Sequence, residues 1–391
     1  MRYLFFVFRV IGRPILESSQ FNRQTHKTRM AKSGGLFFAT AALIMMLVVW
    51  GNPIPEIANS LLPKPPAPLP ADSLVQPSTL DLRVDADRLM AHVEALSGPV
   101  SSPAQREAAR QYITQQLVQY GLTATRQSYQ SASAGSNSAE ASTGVNIVAE
   151  VMGAEPAAGS IVLGAHYDTE RDSPGADDNG SGVATLLESA RIFSQQLAAS
   201  KTPNAQSSAA HALPRNLKLV FFDQEERQPD GSGLLGSLAF TNRLDNLVDV
   251  KGAIILDMIG YACHTPGCQA YPAQLPLSNV PKTGDFLTVL GLQRHVDLTG
   301  VFMLSAQTTW PKVLTLPIPN PMLRLFPDLL RSDHAPFWEK DVPAVLVSDT
   351  ANFRNPNYHT PQDTLDTLDT AFFKGSAQHV VNAIATLLNQ R

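Results

Sequence analysis

Residues 161–182, IVLGAHYDTERDSPGADDNGSG, constrain this chain more than any other stretch. Ile161-Val162-Leu163 is a short apolar run rich in β-branched residues, which reads as a buried strand, and it stops at His166-Tyr167-Asp168. A loop with Pro174 and Gly175 follows, then Asp177-Asp178, then Asn179-Gly180-Ser181-Gly182 leading into a helix. A His, an Asp two positions on and another carboxylate ten positions later therefore gather at the carboxyl end of one strand. In open α/β sheets that is where ligands bind.

The rest of the chain repeats the pattern. Helices are predicted over 84–96 and 102–120, and strands over 146–152 and 161–165. A helix over 183–197 carries Val183, Leu186, Leu187, Ala190 and Leu197 at helical spacing. The strand 217–222 ends in Asp223-Gln224-Glu225-Glu226, a short helix spans 234–244, and the strand 252–256 ends at Asp257. Residues 261–331 are Pro-rich and read as an elaborated loop region over a site, with one helix at 284–295. A strand over 343–347 and one or two helices over 365–388 complete the chain. Ser/Ala/Gly-rich 131–143 reads as a mobile loop, and 201–214 as a polar connection. Strands alternating with helices indicate an α/β sandwich, its sheet between helix layers.

Charge divides the chain. Residues 1–34 hold seven Lys/Arg against one acid, Glu17, so the remainder carries 23 basic and 33 acidic residues. A body that acidic offers no basic platform, which excludes nucleic acid as a partner. The basic head precedes an uncharged apolar run over 35–51, the pattern of a signal anchor or a cleaved signal peptide. Eight prolines between 52 and 79 make a stiff spacer. The expected organisation is a cytoplasmic head (1–34), a membrane segment (35–51), a linker (52–79) and a catalytic domain (80–391) held outside the cytoplasm. Cleavage of the segment would make the protein secreted. Nothing in the sequence fixes an oligomeric state.

Four predicted strands end at a candidate ligand: His166, the Glu225-Glu226 pair, Asp257 and, through the following loop, His359. Several carboxylates at one sheet edge are unfavourable unless a cation neutralises them. Imidazole and carboxylate ligands without thiolate suit zinc first, then manganese or cobalt.

The order HxD, GADDNGSG, EE, LDM and NYHTPQDTLD resembles the di-zinc aminopeptidase family, over roughly residues 80–388. The resemblance implies a three-layer α/β/α sandwich with a mostly parallel mixed sheet, two zinc ions per chain and a peptide substrate. By motif, His166 and Asp257 would bind one zinc, Glu226 and His359 the other, and Asp178 would bridge them. Family members hold the peptide bond after the bridging Asp in the cis form. Asp168 would sit behind His166 and fix its ring, and Glu225 would be the general base. Asp333, in SDHAPF, is expected near the site as an orienting group or a helix cap. Arg354 is a candidate substrate contact or an ordinary salt-bridge partner. Cys263 and Cys268, the only cysteines, suit a small-loop disulfide in an exported protein, with two free thiols as the alternative. A glutaminyl cyclase shares fold and motif order but generally uses one zinc. A metal-dependent deacylase fits GADDNGSG poorly, and a membrane-tethered binding module without catalysis is the reading from another class.

Overall fold

Ile161, Leu163 and Ala165 pack into one hydrophobic cluster and Val162 into another, and that alternation along one buried strand sets the layers. The structure, a computed structural model, describes residues 81–131, 142–200, 213–272, 280–305 and 310–390. In chain order these form α1 (Ala86–Leu96), α2 (Pro103–Gln119), β1 (Thr125–Ser131), β2 (Ser142–Val151), β3 (Ser160–His166) and α3 (Gly182–Ser200). Next come β4 (Asn216–Phe222), α4 (Leu235–Asn242), α5 (Leu244–Leu247), β5 (Val250–Leu256), β6 (Phe286–Leu292) and α6 (Val296–Ser305). β7 (Lys312–Ile318), α7 (Ala335–Glu339), β8 (Ala344–Ser348) and α8 (Thr370–Leu388) follow. Local chemistry starts the helices. Asp85 accepts from two backbone N–H groups of α1, Ser102 and Gln105 make a capping box on α2, and Asp369 caps α8.

The eight strands form one mixed sheet in the order β1-β2-β4-β3-β5-β8-β6-β7. β4, β3, β5 and β8 run parallel at its centre, β1 and β2 are antiparallel on one side, and β6 runs antiparallel to β8 and parallel to β7. Leu89, Ile113, Leu187, Val301 and Val380, from α1, α2, α3, α6 and α8, cover one face. Phe240, Phe337 and Trp338, from α4 and α7, cover the other. From β3 the chain passes to β4 on one side and then to β5 on the other, which opens a crevice at their carboxyl ends.

Residues 284–295 are not a helix. Phe286–Leu292 is strand β6, buried at every position, so FLTVLGL shows no period that separates strand from buried helix. The edge strands β1 and β7 also go beyond the sequence reading. β1 is the polar run TRQSYQS, and β7 contains Pro317, which an edge strand tolerates. Residues 261–331 thus supply two strands and α6 as well as loops. The predicted head, membrane segment and linker over 1–79 lie outside the described residues. Among the described residues no helix is long and apolar enough to cross a membrane.

Candidate metal and catalytic site

The site is assembled from strand ends. His166 is the last residue of β3, Glu225-Glu226 lie just past β4, and Asp257 follows β5. His359 arrives on the loop after β8 with a positive φ of 58°. His166 Nε2 lies 3.4 Å from Asp178 Oδ1 and 3.8 Å from Asp257 Oδ1. His359 Nε2 lies 3.2 Å from Asp178 Oδ2 and 3.2 Å from Glu226 Oε2. The two oxygens of Asp178 therefore face two different imidazoles.

The GADDNGSG loop ties the Asp257 and His359 segments to Asp178. Asp177 accepts from Gly260 N (2.9 Å) and Asn355 Nδ2 (2.9 Å), which reach it from the loops after Asp257 and before His359. Asn179 donates to Leu256 O and accepts from Met258 N, gripping the backbone on both sides of Asp257. Ser181 Oγ accepts from Ile259 N. Asp363, fully buried four residues after His359, accepts from both Asp177 N and Asp178 N at 3.0 Å. A Cβ at Gly182 would lie 2.3 Å from Asn179 Oδ1, so a larger residue there would displace the Asn179 side chain. The Asp178–Asn179 bond is cis.

These groups fit a divalent cation. His166 Nδ1 contacts the Asp168 carbonyl at 3.0 Å, while its buried Nε2 has no hydrogen-bond partner and faces carboxylates. Burial and the charge of Asp178 raise the Glu226 carboxyl to about 8. Glu225 is held well above the usual range by burial, against the pull of His166, and by the charges of Glu226, Asp257 and Asp333. Burial would lower His359, but its contacts with Asp178 and Glu226 hold it at about 10. Crowded carboxylates around an unpaired imidazole nitrogen are a donor set for zinc, and the ligand atoms of His166, Asp178 and Asp257 all lie within 4.8 Å of one another.

Asp168 does more than stand behind His166. Its carbonyl meets the ring, and its carboxylate accepts from Glu225 N (3.0 Å) and Glu226 N (3.2 Å), so one residue orients three. Behind that turn, Asp223 is fully buried between Arg106, Arg110 and the N–H of Val145. Asp333 is also fully buried, and burial, opposed by His166 and aided by Asp168 and Asp257, raises it to about 7.

Arg354 is a correction. It is 4% exposed and donates to Gln269 Oε1 (2.9 Å) and Phe286 O (2.8 Å) while stacking on the Phe286 ring. It braces a wall and is not among the cavity-lining residues. Cys263 and Cys268 are joined in a disulfide.

A cavity of about 890 Å³ opens from Asp178, Glu225, Glu226, Asp257 and His359. It extends across the sheet, where Leu290, Leu314, Leu316 and Leu346 line it from β6, β7 and β8. Sequence reasoning passed over Glu170, Asp177, Asn179, Tyr358 and Asp363. All five lay inside the quoted stretches, Glu170, Asp177 and Asn179 in 161–182 and Tyr358 and Asp363 in NYHTPQDTLD, which was the available signal.

The family model described as Peptidase family M28 matches residues 146–281 and 317–384. The uncharacterised Escherichia coli (strain K12) protein YfbL is 37% identical over 253 residues, covering 62% of this chain and 70% of that protein. Leucine aminopeptidase 1 of Ajellomyces capsulatus (strain NAm1 / WU24) is 35% identical over 113 residues, 26% of this chain and only 25% of its own length. Among solved structures, an aminopeptidase from Aneurinibacillus sp. strain AM-1 aligns with a TM-score of 0.55 at 18% identity, covering 77% of this chain and 93% of that one. Porphyromonas gingivalis glutaminyl cyclase aligns with a TM-score of 0.54 at 19% identity, covering 78% and 98%. At such identities the two structures establish the fold alone.

Proposed function

The chain belongs to peptidase family M28 and is a metallopeptidase; from that premise we propose that it is a two-zinc aminopeptidase acting on peptides with a free amino terminus. The observation that carries this reading is Asp178, whose two oxygens face the separate imidazoles of His166 and His359. His166 and Asp257 would hold one ion, Glu226 and His359 the other, with Asp178 shared. When bound, the ions supply Lewis acidity, polarising the scissile carbonyl and lowering the pKa of water from about 15.7 towards ~7.

The chain's own residues do the rest. Glu225 takes a proton from water onto its carboxylate as the water oxygen bonds to the carbonyl carbon. It then delivers that proton to the amide nitrogen as the C–N bond breaks. The products are a free amino acid and a peptide shortened by one residue. Asp168 keeps Glu225 and Glu226 in register through their backbone N–H groups. The leucine-lined floor suits an apolar first side chain. A glutaminyl cyclase shares the fold, but the full ligand complement on both sides of Asp178 favours the two-ion peptidase.

Two variants test the division of labour. Glu225→Gln should keep both ions and lower amino-acyl amide hydrolysis by at least ~10²–10⁴-fold. Glu226→Gln should lose metal and activity together. Near wild-type hydrolysis by Glu225→Gln would sink the mechanism.

We also propose a membrane tether through residues 35–51, with the catalytic domain outside the cytoplasm. The basic head, the Pro-rich spacer and the Cys263–Cys268 disulfide support it. Deleting residues 1–55 should give a soluble, active enzyme, whereas full-length protein found in the cytosolic fraction would refute the topology.

A further inference from the structure

Among the described residues six carboxylates line the cavity: Glu170, Asp178, Glu225, Glu226, Asp257 and Asp328. Four of them are the proposed ligands and base, and Asp328 is paired with Arg331. Glu170 is left. Among the described residues its only ion-pair neighbour is His359, whose Nδ1 lies 4.0 Å from Glu170 Oε2. Its position is fixed from the backbone: Glu170 N–H donates to Glu226 Oε1 at 3.1 Å, and Glu170 Oε1 accepts from Arg171 N at 3.0 Å. The second oxygen stays at the cavity wall with, among the described residues, no cationic side chain paired to it but that imidazole.

Glu226 places this carboxylate relative to the chemistry. Its ligand atoms lie within 4.8 Å of those of Glu225 and His166 on one flank, and within 4.8 Å of those of Glu170 and His359 on the other. The base and the unassigned carboxylate thus flank a single residue. In an amino-terminal residue the α-nitrogen lies about 2.5 Å from the carbonyl carbon, two bonds away. A carbonyl held beside Glu225 can therefore direct its α-nitrogen along the wall towards Glu170, leaving the side chain to face the leucines of β6, β7 and β8.

We propose that Glu170 is the binding site for the α-ammonium group of the substrate's first residue. This rests on the aminopeptidase reading and deepens it, because it supplies the reason for a free amino terminus. An internal peptide bond presents an uncharged N–H at that position, so it would offer the Glu170 carboxylate no countercharge. The ammonium instead gives a charge-assisted hydrogen bond.

The test uses zinc-loaded protein and two competitive inhibitors that differ only in the amine, L-leucine hydroxamate and 4-methylpentanoyl hydroxamate. Wild type should bind the amine-bearing compound about 10- to 100-fold more tightly, the range expected of a hydrogen bond to a charged group. In Glu170→Gln that advantage should fall to about threefold or less, with zinc content and the affinity for the des-amino compound unchanged. Glu170→Asp, which keeps the charge, should recover part of it. A wild-type preference that survives intact in Glu170→Gln would overturn the role of Glu170 alone. A wild type that shows no preference would overturn the aminopeptidase reading with it. Loss of an ion in Glu170→Gln would make Glu170 a metal ligand and also refute the proposal.

Discussion

The two imidazoles of the site sit in unlike surroundings. His166 ends a central strand, is 1% exposed, and has its ring held by the Asp168 carbonyl. His359 sits on a loop, its side chain is 29% exposed, and it leans on the Tyr358 ring at 3.7 Å between centroids. One half of the site is positioned by the sheet, through the hydrogen-bonded ladder of β3 with β4 and β5. The other is positioned by side chains: Asp363 and Asn355 tether the His359 loop to the Asp177-Asp178 backbone and side chain. A strand end can be displaced only by disturbing the core, whereas a tethered loop depends on a few bonds. The His359 half should therefore be the one that yields first.

The largest effect that would sharpen this contrast is expected from Asp168→Asn. Its carboxylate serves both halves through Glu225 N and Glu226 N, so activity should fall about 10- to 100-fold with two ions retained. Loss of one ion would show that Asp168 acts on metal binding instead. Asp363→Asn should weaken the His359-side ion by about 10-fold, and the other ion, which shares Asp178, by less, measured by zinc competition with a chelator. Glu188→Gln is the control: Glu188 is fully buried and paired with Arg191 and Asp85 N, so its loss should lower thermal stability without changing zinc affinity. Equal weakening of both ions in Asp363→Asn would break the comparison. Tyr358→Leu removes the stacked ring and should cost about 2- to 10-fold in the same affinity, the size of one aromatic contact. No change there would mean that the ring does not hold His359.

The same contrast explains what the sequence made legible. His166, Glu225-Glu226 and Asp257 follow runs such as IVLGA and LKLVFF, so the strand pattern announces them and their position at the sheet edge. The tethers lie inside the quoted motifs, but the motifs do not say what they hold. Asp363 and Asp177 read as loop acids until the fold brings their partners, 186 residues apart in the case of Asp177 N and Asp363, into contact. Arg354 misled for the same reason: proximity in sequence to His359 says nothing about a guanidinium that folds back onto Gln269 and Phe286. β6 was hidden because a strand covered on both faces carries no alternation.

Zinc titration of the metal-free protein, with stoichiometry and step affinities read in wild type, His166→Ala and His359→Ala, tests the proposed two-ion site most directly. The account predicts saturation at two ions per chain in two separable steps. His359→Ala should lose the weaker step and keep the tighter one, while His166→Ala should lose the tighter. Saturation of wild type at one ion, or loss of both steps together in His359→Ala, would contradict it.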